Sequence, residues 1–308
     1  MAQRRVAVIG GGTIGASWVA HFLGRGFDVM VSDPQLTPES IRRAVDAAWP
    51  ALQALGLAPE ASPDRLQFCR DARAAVEGAD FVQENGPEDE ALKIEVFAEL
   101  DSAAPVETIL ASSSSGLLMS RIQSRCVHPE RCVIGHPFNP PHLMPLVEVV
   151  GGSRTTPDAI ERALGFYRAA GKHPIHIRTE LRGHIANRLQ AALWREAISL
   201  VDAGVASVAD VDAAVAYGPG LRWAIMGPSL TFHLGGGTGG IRHFMQHLGP
   251  AVQSWWDDLG SPTLTPAVAQ KVVDGVLAET AGRPVDELAR ERDAILVKLL
   301  RDTARPES

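Results

Sequence analysis

The chain has 308 residues, 45% of them hydrophobic and 21% charged, with a formal net charge of −7. That balance can bury the core of one large or two ordinary domains, and its sign argues against nucleic acid, whose phosphates recruit clustered positive charge. No apolar run approaches the roughly 18 residues a membrane span needs, and three cysteines without metal-ligand spacing read as reduced thiols of a cytoplasmic protein.

MAQRRVAVIGGG leads into an apolar strand and a glycine turn, without the long apolar core and small-residue cleavage site of a signal peptide. RRVAVIG is predicted as a strand, TIGASWVAHFLGRG as a helix and FDVMVSD as a second strand. PESIRRAVDAAWPALQALG is helical, with Pro50 as a point of kinking. ADFVQEN, ETILASSS and RCVIGHP follow as strands, with the helix ALKIEVFAELDSAA between the first two. PLVEVV, apolar but for one carboxylate, reads as a further strand that returns after a Pro-rich turn, and DAIERALGFYRAAG with KHPIHIRT repeats helix and strand. Beyond about residue 182 only helical patterns remain, beginning with ANRLQAALWREAISLVDAG. The expected fold class is α/β, a Rossmann-type, doubly wound, mostly parallel sheet over residues 1–182, followed by a smaller all-α domain over 183–308.

Gly10, Gly12 and Gly15 form G-x-G-x-x-G between the first strand and the first helix, and Asp33 closes the next strand. In that setting the glycines let the backbone approach a pyrophosphate at a helix N-terminus, and the carboxylate accepts from ribose hydroxyls. A carboxylate there repels the extra phosphate of NADP, so NAD is the expected cofactor. GGGTGG at 235–240 fits the same spacing, but it follows the helical LTFHL and reads as an interhelical loop.

The stretch VIGHPFNPPHLMPLVEVV carries His136 and Glu148 in apolar surroundings. A histidine at a strand end suits a general base, and a carboxylate beside it would set its tautomer and stabilise the imidazolium. Taken from spacing alone, the bland readings, His136 as a helix or turn cap and Glu148 as a solvated strand residue, stand ahead of the pair.

The ordered segments VIGGGTIGASWV, ENGPEDEALK, ASSSSGLL, GHPFNPP, PLVEVV and GHIANRL resemble the L-3-hydroxyacyl-CoA dehydrogenase superfamily along nearly the whole chain. The resemblance implies that His136 is the base and Glu148 its partner. It further implies that Ser115 and Asn187 orient the substrate oxygen, and that Glu88 and Lys93 lie near the nicotinamide ribose. It also implies a homodimer through the helical domain. Read from the residues, Ser115 could instead be a helix N-cap before LLMSRI, Asn187 a structural interdomain hydrogen bond, and Glu88 with Lys93 an exposed charge pair. Two departures separate the chain from the family's CoA-dependent members. Serine occupies 112–115 where asparagine is usual, and 38–66 holds no lysine-rich hairpin, only Arg42, Arg43 and Arg65. GPGLRWAIMGPSLTFHL resembles the L-carnitine dehydrogenase and lambda-crystallin (L-gulonate 3-dehydrogenase) branch. There Arg222 suits a bidentate grip on a free carboxylate. Trp223, Phe232, Trp255 and Trp256 suit an apolar or cation–π wall, though tryptophans on helices are usually core. The expected substrate is therefore a small L-3-hydroxy acid, L-carnitine first. The rivals are a short CoA ester and a non-catalytic NAD-binding structural protein.

Overall fold

The computed structural model describes residues 5–303. Eight strands form one sheet: β1 (Arg5–Ile9), β2 (Asp28–Ser32), β3 (Leu66–Cys69), β4 (Phe81–Glu84), β5 (Ile109–Ser112), β6 (Cys132–Pro137), β7 (Leu146–Gly151) and β8 (His173–His176). Their order is β3-β2-β1-β4-β5-β6-β7-β8. All neighbours are parallel except β6 and β7. The reason is local. Residues 138–145, between β6 and β7, are too few for a crossover helix, so the chain turns back beside itself.

Six helices cover the sheet: α1 (Thr13–Gly24), α2 (Pro38–Leu55), α3 (Ala72–Val76), α4 (Glu90–Ala103), α5 (Met119–Ile122) and α6 (Pro157–Ala169). The two faces build separate cores. Val6 and Val8 of β1 join Trp18, Phe22, Val45 and Tyr167, while Ala7 and Ile9 join Val76, Phe97, Leu100 and Ile122. This period of two on a fully buried strand is why RVAVI is apolar throughout. Pro50 lies inside α2 on its exposed face, so the helix carries through to Leu55 and the carbonyl that loses its donor can meet water. The sequence reading did not foresee β3. It is an edge strand, only partly buried, that directly follows the 3-10 turn Pro63–Arg65, without the buried apolar run that marks the central strands.

The rest is helical: α7 (Ala186–Asp202), α8 (Val208–Tyr217), α9 (Pro219–Trp223), α10 (Pro228–Gly235), α11 (Gly240–His247), α12 (Gly249–Asp258), α13 (Pro266–Thr280) and α14 (Val285–Thr303). GGGTGG joins α10 to α11, the interhelical place expected for it. Contacts divide the chain into two compact units, one running to Asn187 and including the stretch from Arg292, the other Arg188–Glu291. Residues 183–187, grouped with the helical part in the sequence reading, cluster with the sheet because Ile185, Ala186 and Asn187 bond to Glu148 and Ser115. In the second unit Val208 of α8 lies close against Gly275 of α13, and Phe232 stacks on Phe244 at 4.8 Å between centroids. Large apolar side chains stay exposed on it, among them Leu189, Trp194, Trp255 and Trp256. Among the described residues, no helix is long and apolar enough to cross a membrane.

Candidate active site

The glycine turn links β1 to α1. Gly10 has φ 86°, a left-handed conformation that favours glycine. A Cβ on Gly15 would overlap the Gly10 carbonyl, so this position closes the helix onto the turn. Gly12 differs: a Cβ there would meet nothing within 4 Å. It is the N-cap of α1 and has no side-chain cap, so the first-turn amides face open space. That is the cradle a pyrophosphate fills. Asp33 Oδ2 accepts from the Gly11 amide at 2.8 Å, and Oδ1 accepts from the amides of Gln35 (2.8 Å) and Leu36 (2.9 Å). Burial pushes its pKa up, but these amides and the nearby Arg70 outweigh burial and hold the carboxyl below its usual range. One lone pair of Oδ2 is left for a ribose hydroxyl. The four residues therefore suit a dinucleotide.

His136 and Glu148 face each other across the antiparallel pair as direct register partners. His136 Nδ1 lies 2.9 Å from Glu148 Oε2, and both side chains are buried. Glu148 Oε1 accepts from the amides of Ile185 (2.9 Å) and Ala186 (3.0 Å), at the start of α7. Burial alone would raise the carboxyl pKa, yet the His136 hydrogen bond and the two amides more than offset it, and the net shift is downward. An ionised carboxylate only accepts, so His136 Nδ1 carries the proton and Nε2 presents a lone pair. The turn-cap and solvated-strand readings are thereby corrected, since each residue's polar atom meets the other in the core.

The turn after β5 carries the serines. Ser115 is exposed; its amide donates to Glu88 Oε1 at 2.9 Å, as do the Ser114 hydroxyl (2.8 Å) and the Gly116 amide (3.0 Å). Ser115 is not a helix cap: the N-cap of α5 is Leu118. Asn187 Nδ2 donates to the Ser115 carbonyl at 3.3 Å. Glu88 and Lys93 do not form the exposed pair considered from sequence. Lys93 is 1% exposed, and its ammonium donates to both oxygens of Glu84 (2.7 and 2.9 Å) and to the Gly86 carbonyl (3.1 Å). Glu84 also accepts from Ser112 and from the Gly86 amide. Sequence reasoning missed Glu84, although a carboxylate at the C-terminal end of a buried strand is a signal that it needs a partner. His184 was missed as well. Its Nε2 lies 3.0 Å from the Ser114 carbonyl oxygen.

Arg222 and Trp223 lie on α9 of the second unit, both exposed. Of the arginines considered for an anion, Arg42 bonds Pro63 and Asp64, and Arg65 bonds Asp28. Arg43 is exposed.

The chain matches two family descriptions in succession: 3-hydroxyacyl-CoA dehydrogenase, NAD binding domain, over residues 5–180, and 3-hydroxyacyl-CoA dehydrogenase, C-terminal domain, over residues 183–283. It is 50% identical to an L-carnitine dehydrogenase of Streptomyces griseus, covering 98% of this chain and 90% of that one. It is 49% identical to an L-carnitine dehydrogenase of Burkholderia mallei, covering 96% and 92%. Among solved structures it resembles 5-formyl-3-hydroxy-2-methylpyridine 4-carboxylic acid 5-dehydrogenase, an NAD+-dependent dismutase. The TM-score is 0.83 at 29% identity, covering 99% of this chain and 100% of that one.

Proposed function

This chain belongs to the 3-hydroxyacyl-CoA dehydrogenase family, and on that premise we propose that it oxidises the 3-hydroxyl of a small L-3-hydroxy acid bearing a free carboxylate, with L-carnitine first and an L-gulonate-like acid second. The observation that carries the chemistry is the buried 2.9 Å pair of His136 and Glu148. The substrate reading rests on the two L-carnitine dehydrogenases that are about half identical over nearly all of their length.

NAD, when bound, supplies the two-electron acceptor. Gly10, Gly12 and Gly15 would hold its pyrophosphate and Asp33 its adenosine ribose, where a carboxylate disfavours a 2′-phosphate and the nearby Arg70 donates to the Pro34 carbonyl. Glu88 would have its Oε2 free for the nicotinamide ribose, and Lys93 holds the adjoining turn through Glu84 and Gly86. His136 takes the alcohol proton at Nε2, and the imidazolium is stabilised by Glu148. Ser115 and Asn187 orient the alcohol oxygen as it gains negative charge. Arg222, and Trp223 beside it, are our candidates for recognising the substrate's carboxylate end, on their chemistry. Replacing Arg222 by Met removes a charge-assisted hydrogen bond of about 1.5–3 kcal/mol, so KM for the acid should rise roughly 10–100-fold. An unchanged KM removes Arg222 from this role. The exposed Leu189, Trp194, Trp255 and Trp256 support a homodimer through the helical unit, which size-exclusion chromatography with light scattering tests.

The deciding experiment is NADH formation with L-carnitine, L-gulonate, 3-hydroxybutyrate and its CoA ester. Turnover of a free acid supports the reading, and preference for the CoA ester overturns it. Binding of NAD without oxidation of any of them favours a non-catalytic protein.

A further inference from the structure

His184 holds none of the roles assigned above, yet its ring meets the serine turn and faces His136. It is 1% exposed and lies just before α7. Its backbone is left-handed, φ 50°, directly after Gly183 at φ 75°. A non-glycine residue keeps that conformation only where its neighbours over-determine it. The effect of the turn is to aim the next two amides, those of Ile185 and Ala186, at Glu148 Oε1. Successive amides converging on one anion form a nest.

The side chain reaches the other way. Nε2 meets the Ser114 carbonyl at 3.0 Å, and a carbonyl only accepts, so Nε2 carries the proton. The ring centroid lies 5.1 Å from that of His136 at a 45° tilt. Nδ1 is then an unprotonated nitrogen, buried and without a partner among the described residues. Burial is the main reason the ring's pKa lies below its ordinary value, against the Ser114 carbonyl, which raises it. The titratable groups facing the ring are His136 on β6, Glu148 on β7 and Glu88 on the turn before α4. The ring is thus a neutral donor, held between the base and the serine turn.

We propose that His184 is a positioning residue that locks the serine turn and the His136–Glu148 pair into one relative geometry. It grips the turn through the Ser114 carbonyl and sets Glu148 through its own backbone bend. This inference rests on the dehydrogenase reading above. The Glu88 clamp holds the amides of Ser115 and Gly116, whereas His184 holds the carbonyl on the other side of the Ser114–Ser115 peptide. Removing either hold lets the peptide rotate and moves Ser115 relative to His136.

The test uses the full chain with H184L and H184Q. Glutamine places an amide N–H as many bonds from Cβ as the imidazole Nε2, so it can restore the hydrogen bond to Ser114. H184L should lower kcat about tenfold or more, with KM for the acid and Kd for NAD changed less than about threefold. H184Q should return kcat to within about threefold of wild type. Wild-type kcat in H184L overturns the proposal. So does an H184Q rate no better than that of H184L, or a loss of NAD binding in proportion to kcat. If H184L does not fold, H184N replaces it: asparagine tolerates the left-handed backbone, but its amide stops one bond short. Equal rates for H184N and H184Q then overturn the proposal. A wild-type protein that oxidises no acid overturns the dehydrogenase reading itself, whereas an active wild type matched by H184L overturns only the role of His184.

Discussion

Replacing Glu148 by Gln changes one heavy atom and should stop turnover. The carboxylate accepts three hydrogen bonds, one from His136 at Oε2 and two from the Ile185 and Ala186 amides at Oε1. Glutamine has one acceptor oxygen and one donating NH2. If the NH2 faced the two amides, two buried donors would lose their acceptor, at about 1–3 kcal/mol each. The oxygen therefore stays with the amides and the NH2 turns to His136. The imidazole answers by presenting a lone pair at Nδ1, its proton moves to Nε2, and the lone pair that receives the substrate proton is gone. Loss of an oriented general base removes about 10²–10⁴-fold from the rate, or about 3–5 kcal/mol of barrier. The assay is steady-state NADH formation with L-carnitine, beside NAD binding by fluorescence quenching. NAD affinity should stay within about twofold, since no cofactor contact is altered. A folded E148Q with kcat within threefold of wild type refutes the tautomer argument.

Four further outcomes are expected. Gly12→Ala should fold normally, because its φ is −60° and its Cβ meets nothing within 4 Å, yet weaken NAD binding about tenfold or more by filling the cradle. Gly15→Ala should lose thermal stability instead, since its Cβ overlaps the Gly10 carbonyl, and differential scanning calorimetry with NAD titration separates the two. Ser115→Ala removes only the hydroxyl, while the amide and carbonyl that Glu88 and Asn187 hold remain. Its Tm should be unchanged and its kcat lowered about 10–10³-fold, so a wild-type kcat excludes the hydroxyl from the reaction. His142 is held at a pKa of about 4 against 6.5, chiefly by burial and by Lys172 and Arg292, with Asp293 opposing. The unfolded chain then binds more protons between those values, so stability should fall as pH drops from about 6.5 to about 4, by at most about 3 kcal/mol. Urea titrations across that window should show a shallower slope in H142N, and equal slopes would exclude His142 as the source.

The central strands β1, β4 and β5 were legible because each is a buried, mostly apolar run in an alternation with helices, and the change to helices after about residue 182 was equally plain. The hairpin was legible for a chemical reason: a Pro-rich link too short for a helix leaves only an antiparallel return. What escaped were features without a pattern of their own. β3 is only partly buried and lacks an apolar run, and α12 carries Trp255 and Trp256 exposed rather than an apolar stripe. Lys93 was paired in prospect with Glu88, its nearer neighbour in sequence. In the fold Glu84 sits deeper, and an ammonium that is buried goes to the carboxylate that is buried with it. His184 gave no spacing signal, because its importance lies in a backbone angle and an unshared nitrogen.

The antiparallel return between β6 and β7 makes the chemistry a reporter of strand register. Side chains alternate faces along a strand, so a slip of one residue would move Glu148 to the opposite side of the sheet from His136 while the backbone hydrogen bonds re-form with new partners. Such a protein would keep its sheet and lose its reaction. The alignment is guarded away from the dyad, by residues that carry no chemistry. Gly135 lacks the Cβ that would overlap the Tyr167 hydroxyl, and Gly151 makes the same kind of room for Thr155. Substitutions at these two glycines would therefore act on catalysis at a distance, by shifting which side chains meet across the hairpin.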